Sequence, residues 1–369
     1  MSNNTRVVDE AKFLWPKIFN PSGRDLLIFL ALLLLVGATL TDFLLGHGRE
    51  RSLLLPLLLS AFISAALGYG VVPLLQRLKT GQIIREDGPQ SHLKKAGTPT
   101  MGGIFFVPVG VVVALFWSRF APEVIAACLV TIGYAGIGWI DDWQVLQRKS
   151  NKGISPRMKL VLQIAICLVF CLWMFRTQPD DITIIKLPFL VLPLGLLFWP
   201  LAGFVLVAES NATNLTDGVD GLAGGTAAIA FLGLGILVAP NYPSLTIFCA
   251  SLSGACLGFV VHNRNKASVF MGDTGSLALG PALATVGLLT ANLWSLFIIS
   301  GIFFIESLSV IAQVSYYKAT KGPDGKGKRL FKMAPIHHHL ELSGWKETQV
   351  VGAFYCINAG LVVLALAIQ

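Results

Sequence analysis

The chain has 369 residues, of which 54% are hydrophobic and only 13% are charged, and its formal net charge is +8 at pH 7. Soluble globular proteins carry about 25% charged residues, so this composition excludes a soluble protein and indicates one that resides in the membrane. The positive charge lies in short loops between apolar runs, which indicates orientation in a membrane rather than binding of nucleic acid.

Eleven apolar segments follow one another along the chain, and most are long enough to cross about 30 Å of hydrocarbon. They predict an all-α polytopic membrane protein with about 10–11 transmembrane helices. The predicted spans are 26–46, 53–77, 101–118, 122–140, 159–175, 187–208, 221–239, 244–262, 276–291, 294–316 and 347–368. Thr290, Ala291 and Asn292 predict a turn within 276–316, where one long bent helix is the alternative.

Lysine and arginine lie mainly in alternate loops, and this bias predicts the orientation of the chain. The loops after the second, fourth, eighth and tenth spans are basic, whereas the opposite loops are short or acidic. Basic loops face the cytoplasm, so the N-terminus is predicted inside the cell and the C-terminus outside. Arg49 and Arg51 depart from this bias between the first two spans. The conspicuous polar motifs all follow spans on the basic side, which predicts a site at the cytoplasmic face.

Three lysines in these loops could contact the phosphate groups of a ligand. Lys95 begins the run Lys-Ala-Gly-Thr-Pro-Thr100-Met-Gly-Gly, and Lys152 and Lys159 follow the fourth span. Together they could hold a diphosphate. For any one of them, positive charge that orients a cytoplasmic loop is the simpler explanation.

Asp141 and Asp142 directly follow the apolar run 132–140. Two adjacent carboxylates repel each other, and the C-terminal end of a helix prefers cations. The pair therefore indicates a metal-binding or base-providing site at the membrane surface. Charge placed at the interface by a helix end is the alternative.

The strongest single motif is Asn211-Ala-Thr-Asn-Leu-Thr-Asp-Gly-Val-Asp220-Gly, which we expect to form a loop. Its Asn, Asp and Thr side chains supply hard oxygen ligands, and its glycines permit tight turns. An ordinary polar loop that caps a helix is one alternative. N-glycosylation is another, but it would need a loop on the far side of the membrane, against the charge bias.

Two further motifs carry ionisable groups. Phe270-Met-Gly-Asp273-Thr-Gly lies just before a span, where the aspartate could simply cap the helix. His337, His338 and His339 are consecutive, so their side chains point apart, and we expect phosphate contact or proton transfer rather than a zinc site. Glu306 lies within the tenth predicted span, where either a functional role or a structural partner would explain it.

Several carboxylates and lysines without a Ser or Cys nucleophile motif predict magnesium-assisted phosphoryl chemistry. No Walker-type glycine-rich loop is present, which argues against ATP-driven transport.

The motifs resemble a known family, the polyprenyl-phosphate N-acetylhexosamine-1-phosphate transferases. The resemblance covers about residues 53–369. It rests on Gly-Thr-Pro-Thr-Met-Gly-Gly at 97–103, Asp141–Asp142, Asn-Leu-Thr-Asp-Gly-Val-Asp-Gly-Leu-Ala at 214–223, Phe-Met-Gly-Asp-Thr-Gly-Ser-Leu at 270–277 and Met-Ala-Pro-Ile-His-His-His at 333–339. The triple histidine favours the branch of the family that acts in peptidoglycan synthesis.

This resemblance implies a multi-pass enzyme of the bacterial inner membrane that serves cell-wall biogenesis, cell shape and cell division. It would transfer the phospho-sugar of UDP-N-acetylmuramoyl-pentapeptide to undecaprenyl phosphate, with Mg²⁺ as cofactor, and release lipid I and UMP. Membrane lipid surrounds it, and a homodimer is compatible with the family. A sibling enzyme that transfers GlcNAc-1-phosphate is the close alternative, and a membrane transporter is the distant one.

The resemblance also implies roles for individual residues. Asp141 or Asp142 would activate the lipid phosphate, Asp273 would bind Mg²⁺, and His337 would act near the phosphates or the amino-sugar. The residues predicted to bind substrate are Lys95, Thr100, Lys152, Lys159, Asn211, Asn214, Leu215, Asp217, Asp220, Asn263, Phe270, His338 and His339.

The family commonly has ten spans with both termini outside, so this chain departs from it by adding the span 26–46. We therefore expect residues 1–52 to form an extra N-terminal segment and residues 53–369 to form the transferase membrane domain. No motif lies in the extra segment, so the predicted activity is not put in doubt.

Overall fold

The computed structural model describes residues 20–46, 48, 51–78, 95, 97–148 and 153–368. The helices in this part of the chain are α1 Gly23–Leu44, α2 Leu54–Arg77, α3 Gly103–Trp117, α4 Pro122–Arg148, α5 Pro156–Thr177, α6 Phe198–Thr216, α7 Leu222–Val238, α8 Pro243–Asn263, α9 Gly272–Leu289, α10 Leu293–Ile299, α11 Gly301–Ala319, α12 Ile336–Leu342 and α13 Glu347–Ala367. Two short antiparallel strands, β1 Ile184–Leu187 and β2 Leu190–Pro193, form a hairpin between α5 and α6.

The protein is an all-α polytopic membrane protein, as the composition predicts. Seven of its described helical segments are long and apolar enough to cross a membrane, and α10 with α11 makes an eighth if that bent pair is one span. The apolar helices α3 and α7 are shorter. Each of the eleven predicted apolar segments overlaps a helix or the bent pair.

The sixth predicted span begins too early in the sequence. Residues 184–193 form the hairpin, and α6 starts only at Phe198. Pro188 and Pro193 oppose a helix here, and the β-branched residues Ile184, Ile185 and Val191 suit strands. The helix then continues to Thr216, so the residues from Asn211 to Thr216 are helical and the predicted loop is wrong for them.

The helix α4 also continues past its predicted end. Asp141 and Asp142 lie inside it, because it extends to Arg148 through residues that favour helix. The two carboxylates are therefore side chains of a helical turn and not of a loop.

The segment 276–316 is broken twice. The turn predicted at residues 290–292 is present, with Ala291 in a left-handed conformation at φ 54°. A second break at Ser300, which we did not expect, bends α10 and α11 by 71°. A Ser-Gly pair, Ser300 and Gly301, occupies this break, and such pairs commonly kink helices.

The centre of the bundle is formed by α8 and α9. Helix α8 packs against α2, α3 and α7, and α9 packs against α3, α4 and α6. Small residues permit these close contacts, as is usual between membrane helices. A Cβ on Gly138 of α4 would overlap the backbone of Asp273, and one on Gly103 would overlap Gly275. Both glycines thus let their helices approach the start of α9.

The helix α1 packs against α2, α7, α8 and α13, so the described part of the N-terminal segment belongs to the same bundle. The division of the chain at residue 52 stays a prediction.

Candidate functional site

The start of α9 is held by a carboxylate from another helix. Asp142 of α4 accepts hydrogen bonds from the backbone N–H groups of Asp273 (3.1 Å) and Thr274 (2.9 Å) and from the Thr274 hydroxyl (2.6 Å). The first N–H groups of a helix lack partners within the helix, and an acidic side chain is a favourable acceptor for them. Asp142 is buried, so it fixes the first turn of α9 and the position of Asp273.

Next to this cap, a lysine lies between two carboxylates. Lys159 Nζ is 2.5 Å from Asp273 Oδ2 and 3.3 Å from Asp141 Oδ1. Asn214 Nδ2 donates to Asp273 Oδ1 at 2.8 Å, and the Ile154 N–H donates to Asp141 at 3.0 Å. The Asp273 side chain keeps 24% of its surface exposed, so a ligand can reach it. We call Asp141, Asp142, Lys159, Asn214, Asp217 and Asp273 the Asp273 cluster.

Asp217 is a further carboxyl group of this cluster. It follows the last residue of α6 and is half-buried. Burial, and then the negative charges of Asp273, Asp142 and Asp220, raise the pKa of Asp217 to about 8. At neutral pH Asp217 therefore holds its proton in most molecules, and a cation bound at the cluster would favour its charged form.

A second group of side chains forms around Lys95, which lies outside the helices. Lys95 Nζ makes ion pairs with Asp220 Oδ1 (2.7 Å) and with Glu347, the first residue of α13. Asn265 donates to Glu347 Oε2 at 2.9 Å, and the Ala267 N–H donates to Asp220 Oδ2 at 3.0 Å. We call Lys95, Asp220, Asn265 and Glu347 the Lys95 cluster.

The charges in the Lys95 cluster compensate one another. Burial alone would lower the pKa of Lys95, but the carboxylates of Glu347 and Asp220 outweigh it and raise that pKa. Asp220 is almost fully buried and has accepting contacts at both oxygens. The adjacent Asn263 accepts from the Gly221 N–H at 2.9 Å and donates to the Val269 carbonyl, which fixes the same loop.

The sequence did not single out Asn265 or Glu347. Asn265 lies inside the polar segment from Asn263 to Asp273, so its position was a usable signal. Glu347 has an ordinary acidic position at a helix start, which carries no functional signal in sequence. Only the fold brings it to Lys95.

The three histidines have different surroundings. His337 Nδ1 is 3.0 Å from Glu306 Oε2, and both side chains are fully buried. The His337 ring lies against Gly218, where a Cβ would overlap it. His338 Nδ1 is 2.9 Å from Glu341, whereas His339 accepts from the Lys332 N–H at 3.2 Å.

The structure therefore places His337 against the loop after α6. The hydrogen bonds of His338 and His339 described above are made to residues of the segment 332–341. Burial and the nearby charge of Lys332 lower the pKa of His339. Among the described residues, no group of three or more His, Cys, Asp and Glu side chains is arranged to hold a metal ion alone.

The remaining predicted residues differ in how closely they approach the two clusters. Thr100 is buried beside Gly272, and the Phe270 backbone pairs with Pro99 and Gly102, so both lie next to the start of α9. Leu215 is half-buried in α6.

Asn211 bonds to Gln163 of α5 (3.2 Å) and to the Val207 carbonyl of its own helix, so its described hydrogen bonds join it to neither cluster. Lys152 lies outside the described residues.

The donor set of the Asp273 cluster fits a magnesium ion that is completed by a ligand. Mg²⁺ prefers carboxylate oxygens and usually takes one or two of them together with substrate phosphates. Asp273 supplies a partly exposed carboxylate, Asp141 supplies a second one that is nearly buried, and the Asp217 carboxyl lies close to Asp273. Such a site needs no group of three protein ligands.

Comparison with known proteins gives two family matches and many close relatives. The model of glycosyl transferase family 4 matches residues 124–291, and signature 1 of phospho-N-acetylmuramoyl-pentapeptide-transferase matches residues 95–107. Phospho-N-acetylmuramoyl-pentapeptide-transferase of Rippkaea orientalis is 68% identical over 348 residues, which cover 94% of this chain and 96% of the relative. The protein of that name from Gloeothece citriformis is 68% identical over 350 residues, with the same two coverages. The one from a Synechocystis species is 62% identical over 357 residues, or 95% of this chain and 97% of the relative.

Proposed function

The chain belongs to the phospho-N-acetylmuramoyl-pentapeptide-transferase family, and on this premise we propose that it transfers phospho-N-acetylmuramoyl-pentapeptide from its UDP donor to undecaprenyl phosphate. The products are lipid I and UMP, and the protein acts as a multi-pass enzyme of the bacterial inner membrane in peptidoglycan synthesis. The observation that carries this proposal is the placement of Lys159 between Asp141 and Asp273 at the polar ends of several helices. A site built this way suits two phosphate-bearing substrates.

The transfer makes one phosphorus–oxygen bond and breaks another. An oxygen of undecaprenyl phosphate attacks the donor phosphorus that carries the sugar. The bond from that phosphorus to the oxygen of the uridine-bearing phosphate breaks, and UMP leaves with the electron pair. Both substrates are anionic, so bringing them together at a low-dielectric surface is electrostatically unfavourable. The Lys159 ammonium reduces this repulsion where it faces Asp141 and Asp273.

Asp141 is better placed than its neighbour to activate the lipid phosphate. Its carboxylate keeps part of its surface exposed and has weaker contacts, at 3.0 Å to Ile154 and 3.3 Å to Lys159. Asp142 is committed to the start of α9. We therefore assign proton acceptance from the lipid phosphate to Asp141 and the positioning of Asp273 to Asp142.

Mg²⁺ belongs to the proposal as the cofactor, with Asp273 as its protein ligand and Asp217 as a nearby carboxyl group. When bound, it would stabilise the charge that develops on the leaving UMP. Asn214 holds Asp273 Oδ1 at 2.8 Å and so fixes the orientation of that carboxylate.

The uridine diphosphate part of the donor would lie towards the Lys95 cluster. Asp220 and Asn263 shape the loop after α6. Asn214 and Leu215 lie in the last turn of α6, and Asp217 directly follows it. Phe270, whose backbone carbonyl accepts from the Gly102 N–H, is half-buried, and its ring would offer a face for stacking with a base.

Two other functions are less well supported. A sibling enzyme for GlcNAc-1-phosphate would share the acidic cluster, but the close relatives carry the muramoyl-pentapeptide name. A transporter would place its polar groups near the middle of the membrane, whereas most residues of these clusters lie at or close to the ends of helices. A homodimer stays a prediction.

The decisive assay measures UMP release by the purified protein from UDP-N-acetylmuramoyl-pentapeptide and from UDP-GlcNAc, each with and without undecaprenyl phosphate. We expect UMP only with the muramoyl donor and only when the lipid is present. Release from UDP-GlcNAc alone would establish the sibling activity. Donor uptake into proteoliposomes without UMP would establish transport.

We also propose that both clusters face the cytoplasm, because the basic loops follow the same spans as the polar motifs. A reporter enzyme that is active only outside the inner membrane, fused after Gln369, should then be active. If instead a reporter that works only in the cytoplasm is active when it is fused after Gln369, the predicted number of membrane crossings is wrong by an odd number.

A further inference from the structure

The N-terminal helix α1 contributes no group to the chemistry proposed above, but it has a specific place in the bundle. Its buried side chains Leu26, Leu30, Leu34 and Ala38 are spaced by four residues and form one stripe. That stripe lies along α7, α8 and α13. The opposite face is exposed and apolar, as expected for a helix in contact with lipid.

Three of the four helices that α1 packs against, namely α7, α8 and α13, are those whose ends form the Lys95 cluster. Asp220 lies two residues before the start of α7, Asn265 lies two residues after the end of α8, and Glu347 is the first residue of α13. A helix that spans all three can therefore set how these ends meet.

Gly23, the first residue of α1, lies directly against the backbone of Asn265. A Cβ on Gly23 would overlap the carbonyl oxygen of Asn265 and would lie 3.0 Å from its carbonyl carbon and its nitrogen. These are backbone atoms, so they cannot move aside as the end of a flexible side chain could. Position 23 therefore requires glycine for close packing, and the contact fixes the backbone of Asn265.

Both ends of α1 are anchored. At the start, Ser22 and Asp25 form a capping box, with hydrogen bonds of 2.8 and 3.2 Å between backbone and side chain. At the other end, Asp42 accepts from the N–H groups of Leu53 (2.8 Å) and Leu54 (3.1 Å) at the start of α2. The position of Gly23 against Asn265 is thus defined by the helix as a whole.

We propose that α1 is a brace for the donor site and that Gly23 is its positioning residue. The brace acts through Asn265, whose side chain donates to Glu347 at 2.9 Å and contacts Asp220 at 3.4 Å, the two partners of Lys95. The inference rests on the proposed function in one respect, namely that the nucleotide end of the donor binds beside the Lys95 cluster.

The test compares Gly23→Leu and Gly23→Ala with Gly70→Leu in the full-length protein. Gly70 lies in α2, and a Cβ added there would meet no atom within 4 Å, so it controls for the same change on an open helix face. Initial rates of UMP release give KM and kcat for each substrate. We expect the KM of the UDP donor to rise about 10-fold in Gly23→Leu and less in Gly23→Ala. The kcat and the KM for undecaprenyl phosphate should stay within about 2-fold of wild type.

A second measurement does not depend on activity. Hydrogen exchange of the amides at residues 264–268 reports on the loop directly, because the Ala267 N–H is bonded to Asp220 and the Ser268 N–H to the His262 carbonyl. We expect faster exchange there in Gly23→Leu and no change in Gly70→Leu. If the wild type releases no UMP, the proposed function fails while the exchange experiment still decides the brace.

Two results would overturn the inference. One is Gly23→Leu protein with wild-type donor KM and wild-type exchange at 264–268. The other is an equal loss for both substrates with a lowered melting temperature in Gly23→Leu and Gly23→Ala, because that pattern would show general destabilisation rather than positioning of the donor site.

Discussion

The assignment of Asp142 as the cap of α9 predicts how Asp142→Asn will behave. The carboxylate accepts from two N–H groups and one hydroxyl, but an asparagine has only one accepting oxygen, so at least one of these buried donors loses its partner. Leaving a buried donor unpaired destabilises by about 1–3 kcal/mol, and losing the negative charge at the positive end of α9 adds about 1 kcal/mol. We expect a total of about 2–4 kcal/mol and a fall in melting temperature on the order of 5 °C.

The matched control is Asp141→Asn, the same change at the next residue. Its amide oxygen can still accept from the Ile154 N–H, and the partly exposed ion pair with Lys159 contributes only about 1 kcal/mol or less. Thermal unfolding of the two purified variants in one detergent should therefore separate them clearly. Equal melting temperatures, or a larger fall for Asp141→Asn, would refute the assignment of the cap.

The other two predictions concern substrate and metal. Asp273→Asn keeps the shape of the side chain but removes its charge, so turnover should fall by about 100-fold or more with little change in melting temperature, and activity should need far more Mg²⁺. Near-normal turnover and magnesium dependence in folded protein would exclude Asp273 as the ligand. Phe270→Ala should weaken binding of the UDP donor, measured by titration, while the affinity for undecaprenyl phosphate stays nearly unchanged. The opposite pattern would mean that the two substrate sites are exchanged.

Apolar runs predicted the helices well because lipid requires each span to satisfy its own backbone hydrogen bonds. The predicted helix boundaries were less accurate where polar residues continue a helix. Asp141 and Asn211 belong to α4 and α6 although both looked like loop residues. A polar side chain in these positions is satisfied by a neighbouring helix, which a single sequence does not show. The break at Ser300 was missed for a similar reason, since a Ser-Gly pair bends some helices and not others.

Sequence predicted which motifs carry the site but not how they divide into clusters. Lys95 and Lys159 looked equivalent, as lysines beside a phosphate. The structure pairs Lys95 with Asp220 and Glu347, and Lys159 with Asp141 and Asp273. Most of these partners lie more than 100 residues away in sequence, where helix packing decides which side chains meet. Motif spacing along one chain carries no record of that packing.

Hydrogen-bond partners divide four aspartates of the two clusters into two kinds of residue. Asp142 and Asp220 are nearly or fully buried, and their oxygens are used by backbone N–H groups or by Lys95. The side chains of Asp141 and Asp273 keep some exposed surface and are paired through a single lysine. A buried carboxylate with fixed donors is a positioning group, because moving it would leave those donors unpaired. A partly exposed carboxylate can give up its ion pair with lysine and then bind a metal ion or accept a proton from a phosphate. Substitutions of the first kind should therefore change stability together with activity, whereas those of the second kind should change activity alone.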